Sequence, residues 1–584
     1  MVYSKIPLAQ TVTELCKAKG IKHIVISPGS RNAPLTIGFT SNEYFKCYSI
    51  VDERCAAFFA LGLAQQLQEP TAVVCSSGSA LLNYYPAVSE AFYSDIPLVV
   101  LSADRPKHLI GIGDGQTIVQ KNVYKNHILY SANLKLDLSE KQENKRDEPP
   151  IIKNFENRLE RFLGLQKDIQ TYNEEEINKA INTAIEKKGP VHINIPFNEP
   201  LYKTVEDLSV FPKVIQPAEP SEIIEENILE ACLKQWHSAT KKMVLVGVNH
   251  PNSIEEKWLK ILAEDNSVVV FTETTSNLHN DNFFPSIDQI IAALNEDEQQ
   301  KLSPDILLTF GGLIVSKKIK VLLRKFQPKQ HWHIGEKGGN DTFFCLKQHI
   351  KTTPNIFFKA FLPKVVRVSS VYYNIWKTVK SYRLQKHREY LEKVPYSDFQ
   401  VFSQTLKAIP DSYVLQVGNS SAIRYTQLFS INKTVEVFCN RGTSGIDGST
   451  STAIGCAVAN VKPTVFITGD ISFFYDSNAL WNNYIPNNFR IILINNSGGG
   501  IFRILPGHKN TENFDTYFET KHQLTAEHLC KMYGFQYETA NNVTDLNTIF
   551  KTFYNPANTP KLLEVFTPSR INDRVLLDYF EFIG

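Results

Sequence analysis

Gly469-Asp470-Ile471-Ser472 and, one crossover later, Asn495-Asn496-Ser497-Gly498 each follow a short apolar run, Val465-Phe466-Ile467 and Ile491-Ile492-Leu493-Ile494. Apolar runs bounded by glycine and asparagine read as buried strands of a parallel sheet. Ser477-Asn478-Ala479-Leu480-Trp481 between them is a predicted helix, so the stretch is a βαβ unit with both polar ends on one sheet edge. Asp470 offers a carboxylate oxygen, Asn496 an amide oxygen, and the glycines let backbone carbonyls approach. Such a set suits Mg²⁺, which takes oxygen ligands at ~2.1 Å and commonly shares its shell with a diphosphate. Asp and Asn also favour ordinary turns.

Upstream of this unit, Val417-Gly418-Asn419-Ser420 and Asn440-Arg441-Gly442-Thr443-Ser444-Gly445-Ile446-Asp447-Gly448 are further strand-end loops, preceded by a basic and aromatic helix predicted over Trp376 to Tyr390. Residues 1–202 show the same rhythm. Strand-like Ile21–Ile26, Thr71–Val74 and Pro97–Ser102 lead into the loops Ser27-Pro28-Gly29-Ser30-Arg31-Asn32, Cys75-Ser76-Ser77-Gly78-Ser79 and Ala103-Asp104-Arg105-Pro106. Val51-Asp52-Glu53-Arg54 opens an alanine-rich helix, and a further helix is predicted through Asn83 to Ala91. Between them, residues 203–365 carry three more buried-strand patterns: Lys242–Gly247, Ser267–Phe271 and Asp305–Phe310. The Gly311-Gly312 pair after the last could hold a phosphate, but glycine in a βα turn is more often just a turn. The expected fold is therefore α/β, three doubly wound parallel-sheet domains over 1–202, 203–365 and 366–584, with working loops at the strand C-termini.

Composition narrows the function. The chain has 584 residues, 43% hydrophobic, and a net charge of +2, which gives no electrostatic case for nucleic acid. No apolar stretch approaches the ~20 residues of a membrane span, and Met1-Val2-Tyr3-Ser4-Lys5 lacks a signal-peptide pattern. The nine cysteines are scattered, without Cys-x-x-Cys pairs, which argues against zinc and against a disulfide framework. A cytoplasmic location is expected. The charged segment from Ser139 to Pro150 reads as a solvated loop.

The separation of 26 positions between Asp470 and Asn496 resembles the Gly-Asp-Gly…Asn-Asn signature of thiamine diphosphate enzymes, with Ile471 in place of the third glycine. Four other stretches match one family within that class. They are Ser27-Pro28-Gly29-Ser30-Arg31, Asp52-Glu53-Arg54, Ala103-Asp104-Arg105-Pro106 with Gln116, and Asn440 to Gly448. In this order, across essentially the whole chain, they resemble the 2-succinyl-5-enolpyruvyl-6-hydroxy-3-cyclohexene-1-carboxylate synthase family of menaquinone biosynthesis. The resemblance implies pyrimidine-binding, middle and diphosphate-binding domains, with thiamine diphosphate and Mg²⁺ (or Mn²⁺) as cofactors. The implied reaction decarboxylates 2-oxoglutarate and adds the four-carbon unit to isochorismate.

Residue roles follow from the same resemblance. Glu53 is the carboxylate that hydrogen-bonds the aminopyrimidine ring and favours its imino tautomer. Asp470, Asn496 and Gly498 hold the metal. Ser444, Ile446, Gly469, Ile471, Ser472 and Ile501 join them around the cofactor, with Ile446 under its bend. Arg424 and Arg441, with Ser420, hold the donor's distal carboxylate, since guanidinium forks match carboxylates bidentately. Arg31, Arg105, Lys317, Ser30 and Gln116 face isochorismate. Ile501 and Phe502 line the substrate pocket, beside Gly500 where the family often has Gln. Glu53 and the metal residues fall in different domains, so the cofactor bridges domains, and in the family that bridge crosses two subunits; a homodimer is the minimum and a tetramer the alternative. Two other readings stay open. A sister enzyme, such as an acetohydroxyacid synthase or a 2-oxo acid decarboxylase, would keep Glu53 and the metal site without needing both arginine sets. A non-catalytic nucleotide-binding or regulatory α/β protein would need neither Glu53 nor the metal residues.

Overall fold

Strands buried on both faces explain the unbroken apolar runs, and the computed structural model places each of them in an all-parallel sheet. It describes residues 2–137, 168–218, 224–504, 507 and 511–584; the charged segment from Ser139 to Pro150 lies outside them. The chain divides into two compact units. One is Met1–Pro220 with Thr450–Val461 and Asp476–Ile485, the other Ser221–Ser449, Lys462–Tyr475 and Pro486–Gly584.

The first unit is built on six strands in the spatial order Lys46–Ser49, His23–Ile26, Thr71–Cys75, Leu98–Asp104, Val191–Pro196, Tyr130–Asn133. Numbered along the chain this is 2-1-3-4-6-5. Its core is the inward side of these strands, Ile24, Val74, Leu101 and Ile193 among them, closed by helices on the sheet. Helix Glu53–Leu67 begins where the Asp52 carboxylate accepts the Cys55 N–H at 3.2 Å. It is buried from Cys55 to Gln65 and crosses helix Ser449–Ala459 at two glycines. A Cβ on Gly62 would overlap the Thr452 carbonyl, and one on Gly455 the Phe59 carbonyl. No other residue type fits that crossing.

The second unit holds two sheets. Five strands run in the order Val268–Thr272, Lys242–Val246, Ile306–Phe310, Gln330–Ile334, Leu346–Ile350. Six more run Glu436–Phe438, Val414–Val417, Thr464–Gly469, Phe489–Asn495, Lys561–Phe566, Gln536–Ala540, again 2-1-3-4-6-5 along the chain. The common rhythm of the first and last parts of the sequence is thus a common strand order. Two helix expectations need correction. The helix after Thr464–Gly469 starts at Asp470 itself and runs to Tyr475; Ser477–Leu480 is one 3₁₀ turn, and Trp481 lies beyond it. The helix expected through Asn83 to Ala91 is two, Ser79–Asn83 and Tyr85–Ser94. The basic aromatic helix is longer than expected, Tyr372–Leu391. Among the described residues no helix is long and apolar enough to cross a membrane.

Burial sets an acid limit on this fold. It depresses His23, His331, His333 and His387 to about 4 and His192 to about 3. Imidazoles of this kind take their proton only in the unfolded chain between about pH 6.5 and 4, so acid favours unfolding there. Burial pushes Glu273 up to about 7 and Asp398 and Asp476 to about 6, which works in the opposite direction over an overlapping window. Between pH 7 and pH 5 the five imidazoles outweigh the three carboxyls by number. The urea midpoint of the apoprotein is expected to be lower at pH 5 than at pH 7. A higher midpoint at pH 5 would reverse this balance.

Candidate functional site

Asp470 caps its own helix: Oδ1 accepts the Ile471 N–H at 2.7 Å, and Oδ2 accepts the Gly498 N–H at 2.9 Å from the neighbouring strand-end loop. Those bonds fix the carboxylate between the two loops. The Asn496 amide is fixed as well, its Nδ2 donating at 2.9 Å to Asp398, which is buried and held by the Thr567 hydroxyl at 2.6 Å. Asn496 Oδ1 is left buried with no hydrogen-bond partner. An oriented, unspent amide oxygen near a fixed carboxylate fits a hard cation. Among the described residues no group of three His, Cys, Asp or Glu side chains could hold a metal alone. A hard cation held here would draw its further oxygens from backbone, water or a ligand such as a diphosphate.

The same loop is closed from behind. Gly498 has φ +152°, and a Cβ on it would stand 2.7 Å from the Glu519 carbonyl, which also accepts the Gly499 N–H at 2.6 Å. Arg503 is paired with Glu519 and lies 3.1 Å from Asp515, so this segment is pinned from within. His522 Nε2 stands 3.2 Å from Asp470 Oδ2. Ile501 and Phe502 occupy the 3₁₀ turn Gly500–Ile504, Ile501 half-buried and Phe502 exposed. A Cβ on Gly500 would meet nothing closer than the Asn496 amide at 3.4 Å, so glycine is not forced there by packing. Ile446 is half-buried, and its carbonyl accepts the Ser472 hydroxyl at 2.7 Å. Gly469 ends the strand that delivers Asp470.

On the same sheet edge the structure places Arg441 and Ser444 in one loop beside Ser420 and the helix Ser421–Thr426 that it precedes, which carries Arg424. Asn419 organises them, a role the sequence reading missed although it singled out Gly418-Asn419-Ser420. Its Nδ2 donates to the carbonyls of Asn440 and Gly445, 2.7 Å each, and its Oδ1 accepts from Arg441 at 2.7 Å. Arg441 Nε is buried without a partner, which leaves donor capacity for an anion. Burial and the neighbouring Arg441 push the Arg424 pKa down, with Asp288 opposing. Ser420 (φ +66°), Ser444 (φ +62°) and Ser497 (φ +64°) all sit in the left-handed region. Strained backbone of this kind, costing ~1–3 kcal/mol per residue, gathers where a site demands it. Lys317 opens helix Lys317–Lys325 in this unit and is exposed.

The first unit brings together Arg31 and Arg105, with Ser30 and Gln116 on exposed loop backbone. Arg105 donates to the Ser77 hydroxyl at 2.6 Å and the Gln116 carbonyl at 3.4 Å, and pairs with Asp114 at 2.9 Å. Arg31 donates to the Phe197 carbonyl at 3.1 Å and pairs with Glu199 at 3.3 Å, while its Nε is buried and unpartnered. Burial lowers the Arg31 pKa, Glu199 opposes, and Arg105 lowers it further, as expected for two neighbouring guanidiniums. Glu53 is the first residue of its helix, half-buried, with Oε2 accepting from Asn83 at 3.3 Å. Its flanks are anchored: Asp52 Oδ2 accepts from Asn478 at 2.9 Å, and Arg54 lies 3.7 Å from the fully buried Asp476. Asp476 and Asp398 were invisible beforehand, because neither stands in a motif and both act on partners distant in sequence.

Residues 6–127 match the thiamine pyrophosphate enzyme N-terminal TPP binding domain, and residues 416–565 the C-terminal TPP binding domain. The cofactor is thiamine diphosphate. The chain is 56% identical to a 2-succinyl-5-enolpyruvyl-6-hydroxy-3-cyclohexene-1-carboxylate synthase of Christiangramia forsetii and 55% identical to that of Flavobacterium psychrophilum, over the whole of both chains in each case. It is 35% identical to the Porphyromonas gingivalis enzyme of that name, over all of this chain and 98% of the other. Identity sustained from end to end, with both cofactor domains matched in order, settles the family: the chain belongs to the 2-succinyl-5-enolpyruvyl-6-hydroxy-3-cyclohexene-1-carboxylate synthases.

Proposed function

We propose that the protein decarboxylates 2-oxoglutarate and adds the resulting four-carbon unit to isochorismate, releasing CO₂, as a step of menaquinone biosynthesis. The observation that carries this reading is full-length similarity to synthases of that name. Thiamine diphosphate, when bound, supplies the nucleophilic carbon at which a 2-oxo acid loses CO₂. The chain's residues do the rest. Asp470, Asn496 and the Gly498 backbone hold Mg²⁺ or Mn²⁺ against the diphosphate, with Gly469, Ile471, Ser472, Ser444, Ile446 and Ile501 around the cofactor. Glu53 exchanges a proton with a ring nitrogen of the aminopyrimidine. Ser420, Arg424 and Arg441 grip the distal carboxylate of the donor, so that the reacting carboxylate is the one left free. Ser30, Arg31, Arg105, Gln116 and Lys317 orient the carboxylates of isochorismate, beside Ile501 and Phe502. The unspent Nε donors of Arg31 and Arg441 support these two anion positions.

The reading assigns residues 1–202 to pyrimidine binding, 203–365 to a middle domain and 366–584 to diphosphate and metal binding. It includes self-association, a dimer at least, with the active site at the subunit interface, and a cytoplasmic location. An assay pairing 2-oxoglutarate with isochorismate tests it directly; no product under saturating cofactor and Mg²⁺ would refute it. The metal assignment has its own test. Asp470→Ala is expected to fold but to lose at least ~100-fold in Mg²⁺-dependent cofactor affinity, since the diphosphate then lacks its bridging cation. Asp398→Ala, which frees the Asn496 amide to rotate, is expected to lose ~10–100-fold. Calorimetry showing wild-type affinity in the first variant would remove Asp470 from the site.

A further inference from the structure

One five-residue turn of the second unit, Glu273–Asn277 after strand Val268–Thr272, touches three elements that carry or lead to candidate substrate cations. At its start the Glu273 carboxylate, 3% exposed, accepts the N–H groups of Val315 and Ser316, 2.7 Å each. Those residues lead directly into helix Lys317–Lys325, for which Ser316 is the N-cap. Next, Thr274 donates to Gln427 Oε1 through its N–H at 3.0 Å and its hydroxyl at 3.3 Å. Gln427 ends helix Ser421–Thr426, which carries Arg424. Finally Asn277, itself left-handed (φ +51°), uses its side-chain amide as a strand residue uses its backbone. Its Oδ1 accepts the Val437 N–H at 2.7 Å, and its Nδ2 donates to the Val437 carbonyl at 2.9 Å.

Val437 is the middle residue of Glu436–Phe438, the edge strand of its sheet, and the chain leaves that strand toward Arg441. These bonds link residues 42 to 160 positions apart, so they are not local turn chemistry. Asn277 and Gln427 are 8% and 6% exposed, and a buried polar group left unpaired is destabilising. Burial raises the Glu273 carboxyl to about 7 against its two N–H donors, with Asp288 raising it further and Arg441 lowering it, which sets the start of the turn within electrostatic reach of Arg441. Two like charges side by side separate unless they are mounted rigidly, and recognition of a carboxylate tolerates errors of only ~0.5 Å.

We propose that the Glu273–Asn277 turn is the positioning element of the donor-carboxylate site, setting the spacing of Arg424 and Arg441 through Gln427 and Val437. This rests on the assignment of Arg424 and Arg441 to the distal carboxylate of 2-oxoglutarate. Asn277→Ala and Gln427→Leu are each expected to raise KM for 2-oxoglutarate about 3–10-fold, the scale of lost hydrogen bonds, with kcat and calorimetric thiamine diphosphate affinity nearly unchanged. Gln427→Glu, which keeps an acceptor for Thr274, is expected to hold the wild-type KM. Arg441→Ala in the same assay separates the two assignments. If it raises KM while folded Asn277→Ala and Gln427→Leu do not, the turn has no positioning role. If it leaves KM unchanged, the donor site itself is misassigned and the proposal goes with it. Lowered thermal stability with unchanged KM likewise marks the turn as structural only. Should Asn277→Ala not fold, Gln427→Leu decides.

Discussion

Glu53→Gln is expected to lower turnover by ~10²–10⁴, the range for losing a positioned proton-transfer group, while thiamine diphosphate affinity changes by no more than a few-fold. The substitution alters chemistry and leaves place alone. The side chain keeps its length, and its neighbours are fixed independently: Asp52 caps the helix and accepts from Asn478, and Arg54 is paired with buried Asp476. Asn83 can still meet the amide oxygen of Gln. What goes is the carboxylate's capacity to hold and return a proton at the aminopyrimidine. Steady-state turnover measured beside calorimetric cofactor binding reads the two effects separately. Near-normal turnover would mean that another carboxylate does this work.

Selectivity for the donor is expected to be of similar size. A site built for a polar group rejects the analogue lacking it by ~10⁴ or more, so kcat/KM for 2-oxoglutarate over pyruvate should reach that ratio with isochorismate as acceptor. The reacting carboxylate must leave as CO₂, hence fixed cations belong at the other end of the donor. If Arg424 and Arg441 hold that end, pyruvate has nothing to place there and would leave both without a carboxylate. Burial and the neighbouring Arg441 lower the Arg424 pKa, with Asp288 opposing, so removing a carboxylate partner there is costly. Arg424→Ala or Arg441→Ala should weaken the preference by ~2–4 kcal/mol through loss of charge-assisted bonds. Equal use of pyruvate by the unaltered protein, or full selectivity in both variants, would sink the role of these residues.

The parallel sheets were legible because a strand covered on both faces is apolar throughout, and Val465–Ile467 and Ile491–Ile494 carry that mark directly. Their strand ends were legible for the same reason: Asp470 and Asn496 stand where an apolar run stops. Helix limits were less so. Ser477–Trp481 reads as helical by composition, yet the chain turns helical at Asp470, where the carboxylate caps its own first turn through Ile471. Asn419, Asp398, Asp476 and Glu273 escaped because their partners lie elsewhere in the chain. Asn419 answers carbonyls 21 and 26 positions away, and Asp398 orients an amide 98 positions on. Spacing within a motif reports local geometry. It carries no trace of a bond closed by the fold.

The glycine crossing of helix Glu53–Leu67 with helix Ser449–Ala459 has a mechanical consequence. Gly62 lies nine residues beyond Glu53, about 13 Å along the axis at ~1.5 Å per residue. A methyl group at Gly62 or Gly455 must wedge the two rods apart, since each would strike main chain rather than a yielding side chain. The helix would pivot, and its leading end, where the carboxylate sits, would swing with it. Catalytic groups tolerate displacements of only ~0.5 Å. Alanine at either glycine is thus expected to strain the anchors of the helix start, Asp52 to Asn478 and Arg54 to Asp476, and to shift Glu53 from a distance.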